Sequence, residues 1–248
     1  MTPARNGIIL KVNMFISKGH SMVTEKSSLT DKAQHTRQHI LDTALSLFVS
    51  NGYEATTMRE IASAADCSVG LTYRYFARKE ELVLELYWQM AAQTDTQISQ
   101  LPAGSLADRF HQLMITRLAQ SADYRESFRA LFAATLNPNS GVSIFGEDTL
   151  DMHQQVREGF RSLVLGASEP PPAAQAEDLA TLLYGIHFAV LLFWLYDRSP
   201  HQRATAELLA LFRDVLAFVR NMLVLPIVRK QLARAARIAN GLFVTASH

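Results

Sequence analysis

The sequence predicts an all-α protein, with a compact three-helix unit carrying a helix-turn-helix followed by a larger helical body. Three observations carry that expectation. Apolar residues recur at helical spacing along most of the 248 residues, and no alternating strand pattern of useful length appears. Breakers at Pro102, Asn137-Pro138-Asn139, Glu169-Pro170-Pro171-Pro172, Ser199-Pro200 and Pro226 cut that periodicity into segments of ordinary helix length. Hydrophobic residues make up 48% and charged residues 19%, which is enough for a core and too apolar for a disordered chain.

The elements follow in order. A first helix is expected from about Asp31 to Ser50, with Ile40, Ala44, Leu47 and Phe48 on one face and Asn51-Gly52 as its stop. Thr57-Met58-Arg59-Glu60 reads as a capping box that opens a short helix to about Ala64. Ser68 caps another short helix to about Tyr75. A longer helix begins after Ala77, with Glu80 and Glu81 at the positive end of its dipole. Further helices are expected near 104–121, 123–136, 147–165, 176–197 and 203–224. Ala180 to Tyr196 contains no formally charged residue and sits at the short end of the roughly 17–25 residues that span a bilayer. With no second candidate beside it, it reads as a buried helix between its own core and a partner subunit, and no membrane is expected.

Charge is distributed unevenly. Lys and Arg number 24 against 23 Asp and Glu, a net charge of +1, which argues against a simple polycation that binds nucleic acid by bulk neutralisation. Residues 1–32 carry five bases against two acids. Residues 34–94 carry five bases against seven acids, and the stretch after Asp214 has Arg220, Arg229, Lys230, Arg234 and Arg237 with no acid. The apolar run Gly7-Ile8-Ile9-Leu10 is broken at once by Lys11, so residues 1–33 read as an extension rather than an export signal, with translation expected to begin at Met14 or Met22. The single Cys67 excludes an internal disulfide and a Cys-rich zinc module, and fits a reducing compartment.

Residues 57–76, TMREIASAADCSVGLTYRYF, place two short helices around a tight turn at Asp66-Cys67, the pattern of a helix-turn-helix whose second helix enters the major groove. Over residues 36–87 the chain resembles the DNA-binding domain of the TetR family of transcriptional regulators. The matching elements are Ile40, Ala44 and Leu47-Phe48, then Gly52-Tyr53, Thr56-Thr57-Met58, Ile61-Ala62, Ser68 with Gly70, Tyr73 with Tyr75-Phe76, and Lys79-Glu80-Glu81-Leu82.

The resemblance implies DNA contacts from Thr57, Ser68, Val69, Gly70, Leu71, Tyr73, Arg74, Tyr75 and Lys79. Thr57 would hold phosphate through its hydroxyl and N–H, and Lys79 would hold phosphate at the start of the next helix. Ile61, Ala62, Ala65 and Phe76 are expected in the core. Val69 stands where the family often has Lys, and Arg74 where it often has Tyr. Thr72 stands where Leu or Ile is usual. Either the core accepts Thr72 or Leu71 meets a thymine methyl.

The resemblance also implies a domain order. An extension over 1–33 precedes a DNA-binding domain over 34–94, a helical ligand-binding and dimerisation domain over 95–225, and a basic tail over 226–248. Double-stranded DNA and a homodimer built on about 178–197 and 204–225 are the expected partners, with a small-molecule effector of unspecified identity. Candidate pocket residues are Trp88, Met114, Phe128, Phe132, Tyr184, His187, Phe188 and Trp194, each bulky and some able to set one polar atom in an apolar cleft. The expected location is the cytoplasm.

An enzyme is not expected, because no P-loop, GxGxxG, HExxH or GxSxG motif occurs, and no catalytic residue, cofactor or metal is assigned. His35 and His39 lie one turn apart with no acid or thiol expected nearby, and Asp148, Asp151 and His153 form a weak cluster on what reads as a surface helix. A DNA-binding scaffold without an inducer is the alternative reading.

Overall fold

The structure, a computed structural model, describes residues 31–122, 125–135 and 149–243. The expected extension and its alternative start sites lie outside those residues. Ten α-helices are described: α1 (Asp31–Asn51), α2 (Met58–Ala64), α3 (Val69–Tyr75), α4 (Lys79–Ser99), α5 (Leu106–Ser121), α6 (Arg125–Thr135), α7 (Leu150–Leu165), α8 (Ala173–Tyr196), α9 (Arg203–Met222) and α10 (Pro226–Phe243). A 3-10 turn at Pro200–Gln202 links α8 to α9, and no strand occurs among the described residues. The chain divides into two compact units, Met1–Met90 with Asp123–Ile144, and Ala91–Ala122 with Phe145–His248.

The first unit is built on local signals. Gly52 adopts φ +86 and donates its N–H to Phe48 O at 3.1 Å, which ends α1 in the left-handed conformation that glycine adopts at least cost. Ile40, Ala44 and Phe48 are buried from α1, and Ile61, Ala62, Ala65 and Phe76 from the helix-turn-helix, as expected. Leu47 is only half-buried, whereas Leu41 and Leu45 take core positions beside it. The turn between α2 and α3 is a Schellman arrangement. Cys67 N–H reaches Ala62 O at 2.9 Å and Asp66 N–H reaches Ser63 O at 3.3 Å, with Asp66 left-handed at φ 52. A boundary at residue 94 misses one member of this unit: α6 packs on α1, and the Thr135 hydroxyl pairs with Tyr87 at 3.1 Å.

In the second unit α8 is the central helix. It packs against α7, α10 and α9, and buries Leu183, Tyr184, Val190, Leu191 and Trp194. It is long and apolar enough to cross a membrane, but 56% of its apolar window is buried inside the protein, the signature of a core helix. Gly159 lets α7 lie close to the end of α4, since an added Cβ would meet Asp95 Oδ1 at 2.8 Å and Thr94 Cγ2 at 3.2 Å. The first turn of α9 is capped from a distance. Asp197 Oδ2 accepts the Thr205 N–H at 2.8 Å and its hydroxyl at 2.7 Å, and Ser199 Oγ accepts the Ala204 N–H at 2.9 Å.

Of the residues expected as a basic tail, Pro226–Phe243 form a helix with a packing face. α10 lies along α8, Ala236 is buried, and Arg157 Nη1 donates to Asn240 Oδ1 at 2.8 Å. Val228 and Leu232 are half-buried on that helix, whereas Ala235 is exposed.

Candidate nucleic-acid interface

The rotation of α3 about its axis is set by one buried threonine. Thr72 is 0% exposed, and its hydroxyl donates to Ser68 O at 3.2 Å, so the polar atom is satisfied inside the core. Of the two readings offered for position 72, the core accepts it, and Leu71 is half-buried beside it. Ser68 Oγ accepts the Leu71 N–H at 3.1 Å and caps the helix. With Thr72 and Phe76 inward, Val69, Gly70, Tyr73 and Arg74 form the outward face; Val69 is 40% exposed and Tyr73 46%. Large exposed apolar and aromatic groups on a seven-residue helix are costly in water unless a partner covers them. A Cβ added at Gly70 would meet nothing within 4 Å, so the space above it lies open to a partner. Tyr75 is half-buried at the flank.

Two expected phosphate contacts are already committed within the protein. Thr57 donates both its N–H, at 2.7 Å, and its hydroxyl, at 2.9 Å, to Glu60 Oε2, while its Oγ1 accepts the Glu60 N–H at 3.2 Å. These bonds hold the Glu60 carboxyl below its usual range and set a negative group where a phosphate would have to sit. Lys79 is turned inward. Its Nζ donates to Tyr53 O at 2.6 Å, Thr56 O at 3.2 Å and Glu54 O at 3.4 Å, and stands 4.2 Å from the centre of the Tyr53 ring. Three protons meet three carbonyls, so Lys79 clamps the loop between α1 and α2.

The other cations of residues 34–94 differ in how far they are committed. Arg37 forms a two-pronged pair with Glu85, with contacts of 2.6 and 2.7 Å, and lies 4.7 Å over the Phe76 ring. Arg78 approaches Glu81 at 3.9 Å. Arg59 and Arg74 are exposed, and neither has an ion pair or hydrogen bond among the described residues. Sequence reasoning passed over Arg59; its place on the outward side of α2, one residue before the capping Glu60, was the available signal.

His35 is exposed and His39 half-buried, and the acid not expected near them is Asp42. Burial pushes the Asp42 carboxyl up to about 6, against the opposing pull of Gln38, whose Nε2 donates to it at 2.8 Å, and of His39 and His35. The cluster expected around His153 is also differently placed. His153 is 2% exposed with its Nδ1 paired to the Tyr184 hydroxyl, Asp151 is on the surface, and Asp148 lies outside the described residues. Among the described residues no group of three or more His, Cys, Asp or Glu could hold a metal ion. Cys67 is half-buried in the turn.

The eight candidate pocket residues are not brought together within one unit. Trp88, Phe128 and Phe132 belong to the first; Trp88 is 36% exposed, and Phe132 stacks edge-on with Tyr87. Met114, Tyr184, His187, Phe188 and Trp194 belong to the second. The Trp194 indole N–H is spent on Gln202 Oε1 at 2.8 Å. His187 is 3% exposed and neither ring nitrogen has a hydrogen-bond partner among the described residues, so burial, with the Arg117 charge nearby, holds its pKa well below the usual value. A cavity of about 420 Å³ does exist in the second unit, but none of the eight lines it.

Residues 40–86 match the profile of the family described as bacterial regulatory proteins, tetR family. The chain is 45% identical over 60 residues to the HTH-type transcriptional regulator AcrR of Shigella flexneri, covering 24% of this chain and 27% of that protein. It therefore spans about a quarter of that relative's length. Two solved structures share the fold. A tetR-family transcriptional regulator from Streptomyces coelicolor superposes with TM-score 0.57 at 22% identity, covering 83% of this chain and 90% of that one. Thermus thermophilus FadR, a TetR-family transcriptional repressor in complex with lauroyl-CoA, superposes with TM-score 0.53 at 20% identity, covering 73% of this chain and 93% of that one.

Proposed function

We propose that this chain, whose residues 40–86 match the tetR family of bacterial regulatory proteins, is a sequence-specific DNA-binding transcriptional regulator. It acts in the cytoplasm as a homodimeric repressor that a small molecule releases from a palindromic operator. The observation that carries the reading is the outward face of α3. Val69, Gly70, Tyr73 and Arg74 are exposed together on a helix whose opposite side is locked into the core by Thr72 and Phe76. Base-edge readout falls to that face, phosphate contact to Arg74 and Arg59. With Thr57 and Lys79 occupied, one head supplies few phosphate contacts, so useful affinity requires two heads held together.

The second copy docks on α9. Leu211, Val215, Phe218 and Met222 recur at helical spacing and are 57%, 44%, 63% and 37% exposed, an apolar stripe that water does not favour. From α8, Phe193 and Tyr196 remain exposed and add to it. α10 occupies another side of α8, so less of that helix is open to a partner than its all-round apolarity suggests. The FadR complex supports a ligand-responsive body, since that protein of the same fold holds an acyl-CoA.

The test is selection of bound duplexes from a random DNA pool, followed by anisotropy on the enriched sequence. A twofold dimer enriches a palindrome whose half-sites lie about one helical turn apart. Arg74→Ala then lowers affinity for all sequences and reduces the salt slope by about 0.9 per chain. Absence of any enriched sequence, or enrichment of single half-sites, refutes the reading.

A further inference from the structure

None of the residues expected to line an effector site borders the cavity of the second unit, whose lining has a different chemistry. We propose that it binds an amphipathic carboxylate, with a hydrocarbon body inside and the acid at two arginines. At about 420 Å³ it falls within the range of small-molecule sites, roughly 300–1,000 Å³. Its walls are Leu106 at the start of α5, Leu179 on α8, and Leu216, Val219 and Leu223 on or just after α9. The loop Pro170-Pro171-Pro172 closes one side, and three consecutive prolines make it stiff. Such a site is formed before the ligand arrives, which lowers the ordering cost of binding.

The polar groups have a sign. Glu169 pairs with Arg220 through its carboxylate and also accepts from Arg220 Nη2 at its carbonyl oxygen, at 3.1 Å. That pair anchors the guanidinium at the rim and leaves its Nε and Nη1 protons without a partner among the described residues. Arg229, one turn into α10, lines the same cavity, and its guanidinium has no ion pair or hydrogen bond among the described residues. Two cations against one already engaged carboxylate leave a positive rim over an apolar interior. A fatty or aryl-alkyl acid satisfies both parts; an alcohol satisfies only the interior, and an amine is repelled.

Occupation would be felt along α9. Leu216, Val219 and Arg220 turn toward the cavity, while Leu211, Val215 and Phe218 on the same helix form the exposed stripe. A ligand that fills the cavity therefore bears on the helix through which two copies would pair, a consequence that rests on the regulator reading above.

Binding is tested on the full chain by calorimetry with dodecanoate below its micelle concentration. The expected result is saturable binding of one dodecanoate per chain. Dodecanol and the double variant Arg220→Gln/Arg229→Gln each weaken it by about tenfold or more. Leu216→Trp, which fills the cavity, abolishes it while the circular dichroism melt shows a folded protein. Absence of saturable binding, equal affinity for dodecanol, or unchanged binding in both variants overturns the proposal. Anisotropy on the selected duplex separates the two readings. A chain that binds DNA but not dodecanoate overturns the site alone, whereas one that binds dodecanoate but no DNA overturns the regulator.

Discussion

Replacing Lys79 with methionine removes the ammonium and keeps most of the stem, and the result distinguishes a DNA contact from an internal clamp. In the structure the ammonium makes hydrogen bonds of 2.6, 3.2 and 3.4 Å to three carbonyls and sits 4.2 Å from the Tyr53 ring centre. A hydrogen bond to a charged group contributes about 1.5–3 kcal/mol net, and a partly exposed cation–π contact about 0.5–1 kcal/mol. The side chain is only half-buried, so water replaces part of what is lost. A destabilisation of about 2 kcal/mol follows, which for a chain of this size lowers the melting temperature by about 4–8 °C. Urea unfolding should show a lower midpoint at unchanged slope. DNA affinity measured against salt should keep its slope, because no phosphate contact has been removed. An unchanged midpoint with a slope reduced by about 0.9 would show instead that Lys79 neutralises a phosphate, and would refute the clamp.

Other outcomes follow from the same geometry. Phe218→Glu puts a charge in the exposed stripe of α9, where Phe218 is 63% exposed, so the fold should survive while sedimentation shows a shift to monomer and operator affinity drops; a dimer that persists at micromolar concentration would place the interface elsewhere. His187 has its pKa held well below the usual 6.5, so the unfolded chain takes up the proton first and stability declines as pH falls through 6.5. His187→Leu should remove up to about 1.4 kcal/mol of that loss between pH 7.5 and 5.5, read by denaturant titration at both pH values. Hydrogen bonds from Ser199 and Thr205 hold the Asp197 carboxyl well below its usual range, so its contribution is present above the unfolded carboxylate value and vanishes as pH falls through the folded one. Asp197→Asn should therefore lower the melting temperature at neutral pH and converge with the parent protein in acid. Asp66→Val puts a β-branched residue at φ 52 and should cost about 1–2 kcal/mol in thermal melts, whereas a cost near zero would mean the turn has another conformation.

Much of this protein was legible in the sequence because its signals are local. A capping box, a serine cap, a glycine stop and a run of prolines act within a few residues; α1 to α3 begin and end, and α4 begins, close to where the sequence puts them. The helix-turn-helix resemblance is of the same kind, since it depends on spacing within about fifty residues. What only the tertiary structure decided concerns which groups meet across long separations. Lys79 looked free for phosphate until its partners came into view. Lys79 bonds carbonyls 23 to 26 positions away, and the buried His153 reaches Tyr184 across 31 residues. The cavity gathers Leu106, Glu169, Arg220 and Arg229, whose separation along the chain leaves no periodic trace. Caps and periodicity are properties of a single helix and can be read along the chain, whereas the occupancy of a donor and the walls of a cavity depend on how helices pack.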